Sequence, residues 1–202
     1  MEMFARAGSW ATIVGGVLLA IGAFLNLLPP DYASNEFSQE VTTGAFALTA
    51  ALRLLGIVLL TWGVVALYAR QADRLRAFGL VAVALTMAAL VLNGGIVFAD
   101  LFIAPSIAEQ APAILDGNAG GRLGLGFLLA WVSNLAFLLL GIATLRAKVL
   151  ARWAGWALVV VGLCPALPLS GTETVIGLGL AAAGLATLRP RTAPVAAAVP
   201  TA

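Results

Sequence analysis

The chain has 202 residues, 62% of them hydrophobic and 10% charged, with mean hydropathy +1.05 and net charge +2. Soluble domains are roughly 45–50% apolar and about 25% charged, so this chain lacks the polar groups to cover its surface in water. A soluble enzyme, a disordered chain and a disulfide-stapled secreted scaffold are excluded, and an all-α polytopic membrane bundle is expected.

Histidine is absent, and Cys164 and Lys148 are the only residues of their types. Histidine-ligated zinc or haem, a Ser–His dyad, a CxxC pair and an internal disulfide are therefore ruled out. Lys148 sits among arginines at the edge of an apolar run, a poor place for a desolvated amine nucleophile. No cofactor and no catalytic constellation is expected. The basic residues form short clusters beside apolar runs, so nucleic acid is not an expected partner.

A spanning helix needs about 20 apolar residues. In chain order the expected spans are 10–28, 45–68, 78–98, 123–145, 153–169 and 172–188. The first follows Arg6 and stops at Pro29-Pro30 without a small-residue cleavage site, so it reads as a retained helix rather than a signal peptide. The last two are short, since 17 residues cover only about 25 Å. They either cross a locally thinned bilayer or form a re-entrant hairpin around Pro165 and Pro168. Residues 190–202 read as a flexible cytoplasmic tail after a transmembrane domain of residues 1–189.

Charge sets the expected direction. Arg6, Arg70, Arg74, Arg76, Arg146, Lys148, Arg152, Arg189 and Arg191 flank one set of span ends. The other connections hold Asp31, Glu36, Glu40, Asp100, Glu109, Asp116 and Glu173 against Arg122 alone. By the positive-inside bias both termini are cytoplasmic. The loop 99–122 is apolar for a loop, and residues 106–115 fit a short amphipathic helix that lies on the outer leaflet, caps the bundle or docks a partner.

Glycine-rich stretches at Gly15-Gly16, Gly22, Gly94-Gly95, Gly124, Gly126, Gly177, Gly179 and Gly184 allow close helix contact, either within the bundle or between copies of the chain. Helix ends such as Gly141-Ile-Ala-Thr-Leu-Arg146 and Gly184-Leu-Ala-Thr-Leu-Arg189 are alike. They fit either a parallel repeat or the ordinary composition of an inner interface.

Arg53 is the clear ionisable residue inside a span, ~12 Å in from Ala45 at 1.5 Å per residue, where a charge needs a partner, water or an anionic ligand. Asp100 is the first-choice partner and Glu173, at the start of the sixth span, the second. Asn93 shares a helix face with Asp100, and Asn134 and Asn26 lie in neighbouring spans. These six residues form either a polar pocket in the outer half or a set of structural contacts worth about 0.6 kcal/mol each. An ion path is the third alternative.

The sequence around Ala51-Leu-Arg53-Leu-Leu-Gly56, Asn93-Gly94 and Arg152-Trp-Ala-Gly-Trp156 resembles that of uncharacterised small bacterial six-helix integral membrane proteins. The resemblance implies residence in the bacterial cytoplasmic membrane and carries no activity. The expected function is a non-enzymatic membrane protein, as an accessory or assembly subunit or as a binder of a lipid or apolar ligand. The alternative is a small transporter or channel protomer with an outward-facing pocket around Arg53 and Asp100. Expected partners are membrane lipids, and a protein or a second copy through the glycine-rich faces.

Overall fold

The structure, a computed structural model, describes residues 2–28, 36–117, 121–164 and 171–188. Among these the fold is entirely helical, with α1 (Glu2–Leu25), α2 (Phe37–Glu40), α3 (Gly44–Phe102), α4 (Ala104–Gln110) and α5 (Pro112–Asp116). Then follow α6 (Gly121–Ser133), α7 (Leu135–Ala147), α8 (Arg152–Leu163) and α9 (Thr172–Leu188). Four stretches are long and apolar enough to cross a membrane: Arg6–Leu25, Gly44–Leu75, Ala77–Phe102 and Gly124–Ala147. The second and third contain the expected spans and extend them, the first starts before the expected 10–28 and ends short of it at Leu25, and α9 coincides with the sixth.

Three features depart from the expected outline. All 59 residues of α3 are helical, with no loop between the second and third spans. On a straight helix Ile57 and Gly94 would lie about 55 Å apart, yet a methyl group on Gly94 would sit 3.3 Å from the Ile57 side chain. The helix therefore folds back near Leu75, giving two antiparallel arms, 44–75 and 77–102. The fourth span is split at Asn134 into α6 and α7. The expected helix at 106–115 is also two pieces, because Ala111 leaves helical geometry (φ −152°, ψ 65°) before Pro112. The fifth span is described only as α8. Pro165 and Pro168, the tail 190–202, and Pro29 to Asp31 lie outside the described residues.

Helices with apolar surfaces all round gain little in lipid by burying one such surface against another, so close backbone approach must hold them. Small residues supply that approach. On α1, Gly15 faces Gly56 on the first arm of α3, and Gly16 faces Gly177 on α9. Gly141 of α7 meets Gly155 and Val159 of α8, and Gly179 of α9 meets Val161 of α8. Thr86 on the second arm of α3 donates to the Ala136 carbonyl of α7 at 3.2 Å. The result is a closed ring: α1, first arm, second arm, α7, α8, α9, each antiparallel to its neighbours. Leu60, Phe137, Leu140, Leu158, Val161 and Leu180 fill its interior, while Trp62, Val91 and Leu125 point outward at 58%, 66% and 65% exposure.

The ends of the ring differ in charge. The α3 bend, the start of α1 and the α7–α8 junction carry Arg6, Arg70, Arg74, Arg146, Lys148 and Arg152. There Arg70 donates to the Thr187 carbonyl in the last turn of α9, a favourable place for a cation. At the opposite end Asp116 accepts from Ser38 N at 2.8 Å and from Ser38 Oγ at 2.7 Å. That contact ties α5 to the first turn of α2 over the two α3 arms, where Val41 and Phe46 are buried.

A methyl group at Gly16 would lie 2.5 Å from the Gly177 carbonyl oxygen, and one at Gly177 would lie 2.6 Å from Ala20 N. Both neighbours are backbone, which yields little. Gly16→Ala and Gly177→Ala should each cost about 1–3 kcal/mol. At Gly95 and Gly126 nothing lies within 4 Å, so alanine there should be neutral or stabilise by about 0.5–1 kcal/mol through backbone entropy. Thermal unfolding in detergent micelles distinguishes the two groups; equal shifts would mean that α1 and α9 are not held by backbone contact.

Candidate functional site

At the acidic end, one face of the second α3 arm carries Asn93, Ile96, Val97 and Asp100, the i, i+3, i+4, i+7 positions of a helix stripe. This face lines a recess of about 510 Å³, inside the range of roughly 300–1,000 Å³ common for small-ligand sites. Arg53 of the first arm, Leu128 of α6, Asn134 at the α6–α7 break and Glu173 of α9 complete its walls. A narrower space of about 50 Å³ continues inward past Arg53 and Asn93 to Leu19, Ile57, Phe137 and Leu180. There the packed interior of the ring closes it.

Among the described residues the recess lies where the helices of the ring differ in length. Gly162, one residue before the end of α8, packs on Leu138 of α7, so α8 covers α7 and stops short of α6. Among the described residues, α6 packs on α3 and makes no extended contact with α8 or α9. The space between α6 and α9 is the mouth, and Leu128 on its rim is 54% exposed.

Arg53 pairs with Glu173 rather than with Asp100. Its Nη2 lies 2.8 Å from Glu173 Oε2 and 3.0 Å from Oε1. The first-choice pairing from the sequence is thus replaced by the second. The reason is geometric: α9 begins level with Arg53, and Gly171 enters it with φ +87°, which L side chains rarely adopt. That turn sets Glu173 in the first helical turn, where the helix dipole favours an anion. Gly22 of α1 makes room for the arginine stem, since a methyl group there would meet Arg53 Cγ at 2.8 Å. The arginine side chain is 13% exposed and the glutamate 47%. Asp100 shares the recess, and among the described residues it makes no hydrogen bond or ion pair.

The two asparagines meet across the recess floor. Asn93 Nδ2 donates to the Ala89 carbonyl at 2.8 Å and to Asn134 Oδ1 at 3.4 Å. Asn134 Nδ2 donates to the Ala130 carbonyl at 3.2 Å, and Ser133 Oγ donates to the same carbonyl at 2.6 Å. Two side chains thus take up a carbonyl at the point where α6 stops, which accounts for the broken ladder.

Five of the six candidate residues from the sequence, Arg53, Asp100, Asn93, Asn134 and Glu173, line the recess. Asn26 does not; it lies exposed in the turn after α1. Sequence reasoning missed Thr172, Ile176 and Leu128, whose only signal was their register with Glu173 and with the α6 face. Among the described residues no group of three or more histidine, cysteine or acidic side chains is placed to hold a metal ion. No known protein family, curated protein or solved structure matches the chain.

Glu173→Gln leaves the arginine without its partner in a largely buried position. The expected loss is about 1–2 kcal/mol, between the ~0–1 of exposed pairs and the ~3–5 of fully buried ones. Arg53→Gln/Glu173→Gln should be more stable than the sum of the two single losses implies. A thermal-unfolding cycle over the four proteins measures this coupling, and strict additivity would mean that the ion pair contributes nothing.

Proposed function

We propose that this is a non-enzymatic integral membrane protein of the bacterial cytoplasmic membrane that holds a lipid or other amphiphile in the recess between α3, α6 and α9. The observation that carries the reading is the recess itself: about 510 Å³, lined by charges and amides interleaved with Ile96, Val97 and Ile176. A recess with both polar and apolar lining suits a ligand with a head and a tail. The mouth between α6 and α9 is flanked by outward-facing Leu125, Leu128 and Leu129, which favours arrival from the lipid side.

The topology that accompanies this reading is six crossings with both termini cytoplasmic. α9 runs antiparallel to α1 from the level of Leu27, against Gly171, to that of Ile13, against Gly184. It is thus as deep as a helix long enough to span, which argues against a re-entrant hairpin. Most basic residues gather at one end, which carries Glu2 and Asp73 among the acidic ones, and the other described acidic residues belong to the opposite end. The positive-inside bias, which counts Lys and Arg, therefore puts the recess on the outer side. Labelling with a membrane-impermeant maleimide, in a Cys164→Ala background, tests it. Glu109→Cys should react in intact cells, and Lys148→Cys only after lysis; the reverse pattern would invert the protein.

A transport reading draws on one observation, the helix broken at Asn134 beside the recess, since discontinuous helices line many transporter sites. The packed ring below the recess favours binding over conduction. Native mass spectrometry of protein extracted from its own membrane tests the main reading. A retained amphiphile, lost in Asn134→Leu without loss of the folded state, is the expected result. A co-purifying protein in place of any small molecule would instead support an accessory subunit.

A further inference from the structure

We infer that the recess selects amphiphiles bearing a primary ammonium group, with Asp100 as the counter-ion; this rests on the reading of the recess as an amphiphile site. The argument is an accounting of charge and of hydrogen-bond donors. Among the described residues the recess contains one cation, Arg53, and two carboxylates, Glu173 and Asp100. Glu173 is taken by the arginine, so among the described residues Asp100 is the charge left without an ion-pair partner. A cationic ligand head balances it; an anionic head would add to the surplus of negative charge.

The amides extend the same bias. The Asn93 NH₂ group is committed to the Ala89 carbonyl and Asn134 Oδ1, and one N–H of Asn134 to the Ala130 carbonyl. What Asn93 offers is its Oδ1, an acceptor with no donor among the described residues. Asp100 offers two more acceptor oxygens. The Asp100 oxygens and Asn93 Oδ1 together fit a head rich in N–H groups, and an –NH₃⁺ group brings three. A trimethylammonium group has the same charge and none, so it satisfies Asp100 by Coulomb attraction alone. Asn93 lies two turns below Asp100, about 10 Å along the helix, where it can accept from a second donor on a longer head.

The apolar part of the ligand cannot follow the recess inward, because the continuation is only about 50 Å³. It leaves by the mouth over Leu128, which places the chain along the exposed leucines of α6. The head is held inside and the tail stays in the leaflet. An aminophospholipid headgroup and a free alkylamine both meet this description, and their shared chemistry is the primary ammonium.

The test titrates n-octylamine, octyltrimethylammonium and octyl sulfate into the full chain in phosphatidylcholine nanodiscs, with empty nanodiscs as background, by isothermal titration calorimetry. Saturable binding of n-octylamine is expected, at least about tenfold tighter than octyltrimethylammonium, with no binding of octyl sulfate. Asp100→Asn should weaken n-octylamine by at least about tenfold, and Asp100→Glu should retain it. The wild-type ligand order tests the inference even if Asp100→Asn fails to fold. Equal binding of octyl sulfate, or n-octylamine binding unchanged in folded Asp100→Asn, overturns it. Repeating the titration in nanodiscs containing phosphatidylethanolamine separates the sources: competition assigns the lipid headgroup, and undiminished binding assigns a free amine. If octyl sulfate binds and Asn134→Leu abolishes that binding, the recess still holds an amphiphile and only the ammonium assignment falls. If none of the three binds, the amphiphile site falls with it.

Discussion

Backbone-to-backbone approach at α1 is the constraint on which the rest of the structure depends. Gly15 admits the first arm of α3 on one side, and Gly16 admits α9 on the other, each at a separation that a single methyl group would prevent. For a chain this apolar, tight packing replaces the hydrophobic drive that assembles soluble cores. Because α1 fixes both neighbours in depth, it also fixes the level at which Arg53 and Glu173 meet. The ion pair is a consequence of the glycine contacts rather than their cause.

The recess is a second consequence. A ring of six antiparallel segments of equal length would close along its whole depth. Here α8 is 12 residues and α9 is 17, against 24 in α1. Among the described residues α8 does not reach the flank of α6, and the polar stripe of the second α3 arm lines the recess there. Broken helix, short helix and polar stripe coincide at one place. Mid-bundle polarity of this kind is costly unless each group is paired or wetted. The pairing is incomplete at Asp100, and the Arg53 Nε is buried without a hydrogen-bond partner among the described residues. Among the described residues, unpaired buried polar atoms occur at the basic end as well, on Arg70, Gln71 and Thr144; what sets the recess apart is the Asp100 carboxylate that shares it with the ion pair.

Much of the architecture was legible in the sequence, because hydropathy over about 20 residues and the placement of charges are local properties. The sixth apolar segment coincides with α9, and the polar residues Arg53, Asn93, Asp100, Asn134 and Glu173 stood out because each is expensive in an apolar run. What was not legible was partnership. Asp100 was the nearest candidate for Arg53 in the chain's topology, but adjacency of helices does not specify which faces meet. The bend within α3 was also hidden, since residues 69–77 are good helix formers and carry no Pro or Gly to mark a turn. The break at Asn134 depends on two side chains competing for one carbonyl, which a hydropathy window does not register.

The sequence by itself determined that the surface is apolar, that the chain is helical, that histidine-based chemistry is absent and that charges divide by helix end. Those are sums over composition and period, and no fold can alter them. The tertiary structure alone decided that Arg53 pairs with Glu173, that Asn26 stands apart from the other candidates, and that five scattered polar residues enclose one recess. Such outcomes turn on relative rotation and depth of helices far apart in the chain. Those are set by which glycines touch, and no local property of the sequence encodes them.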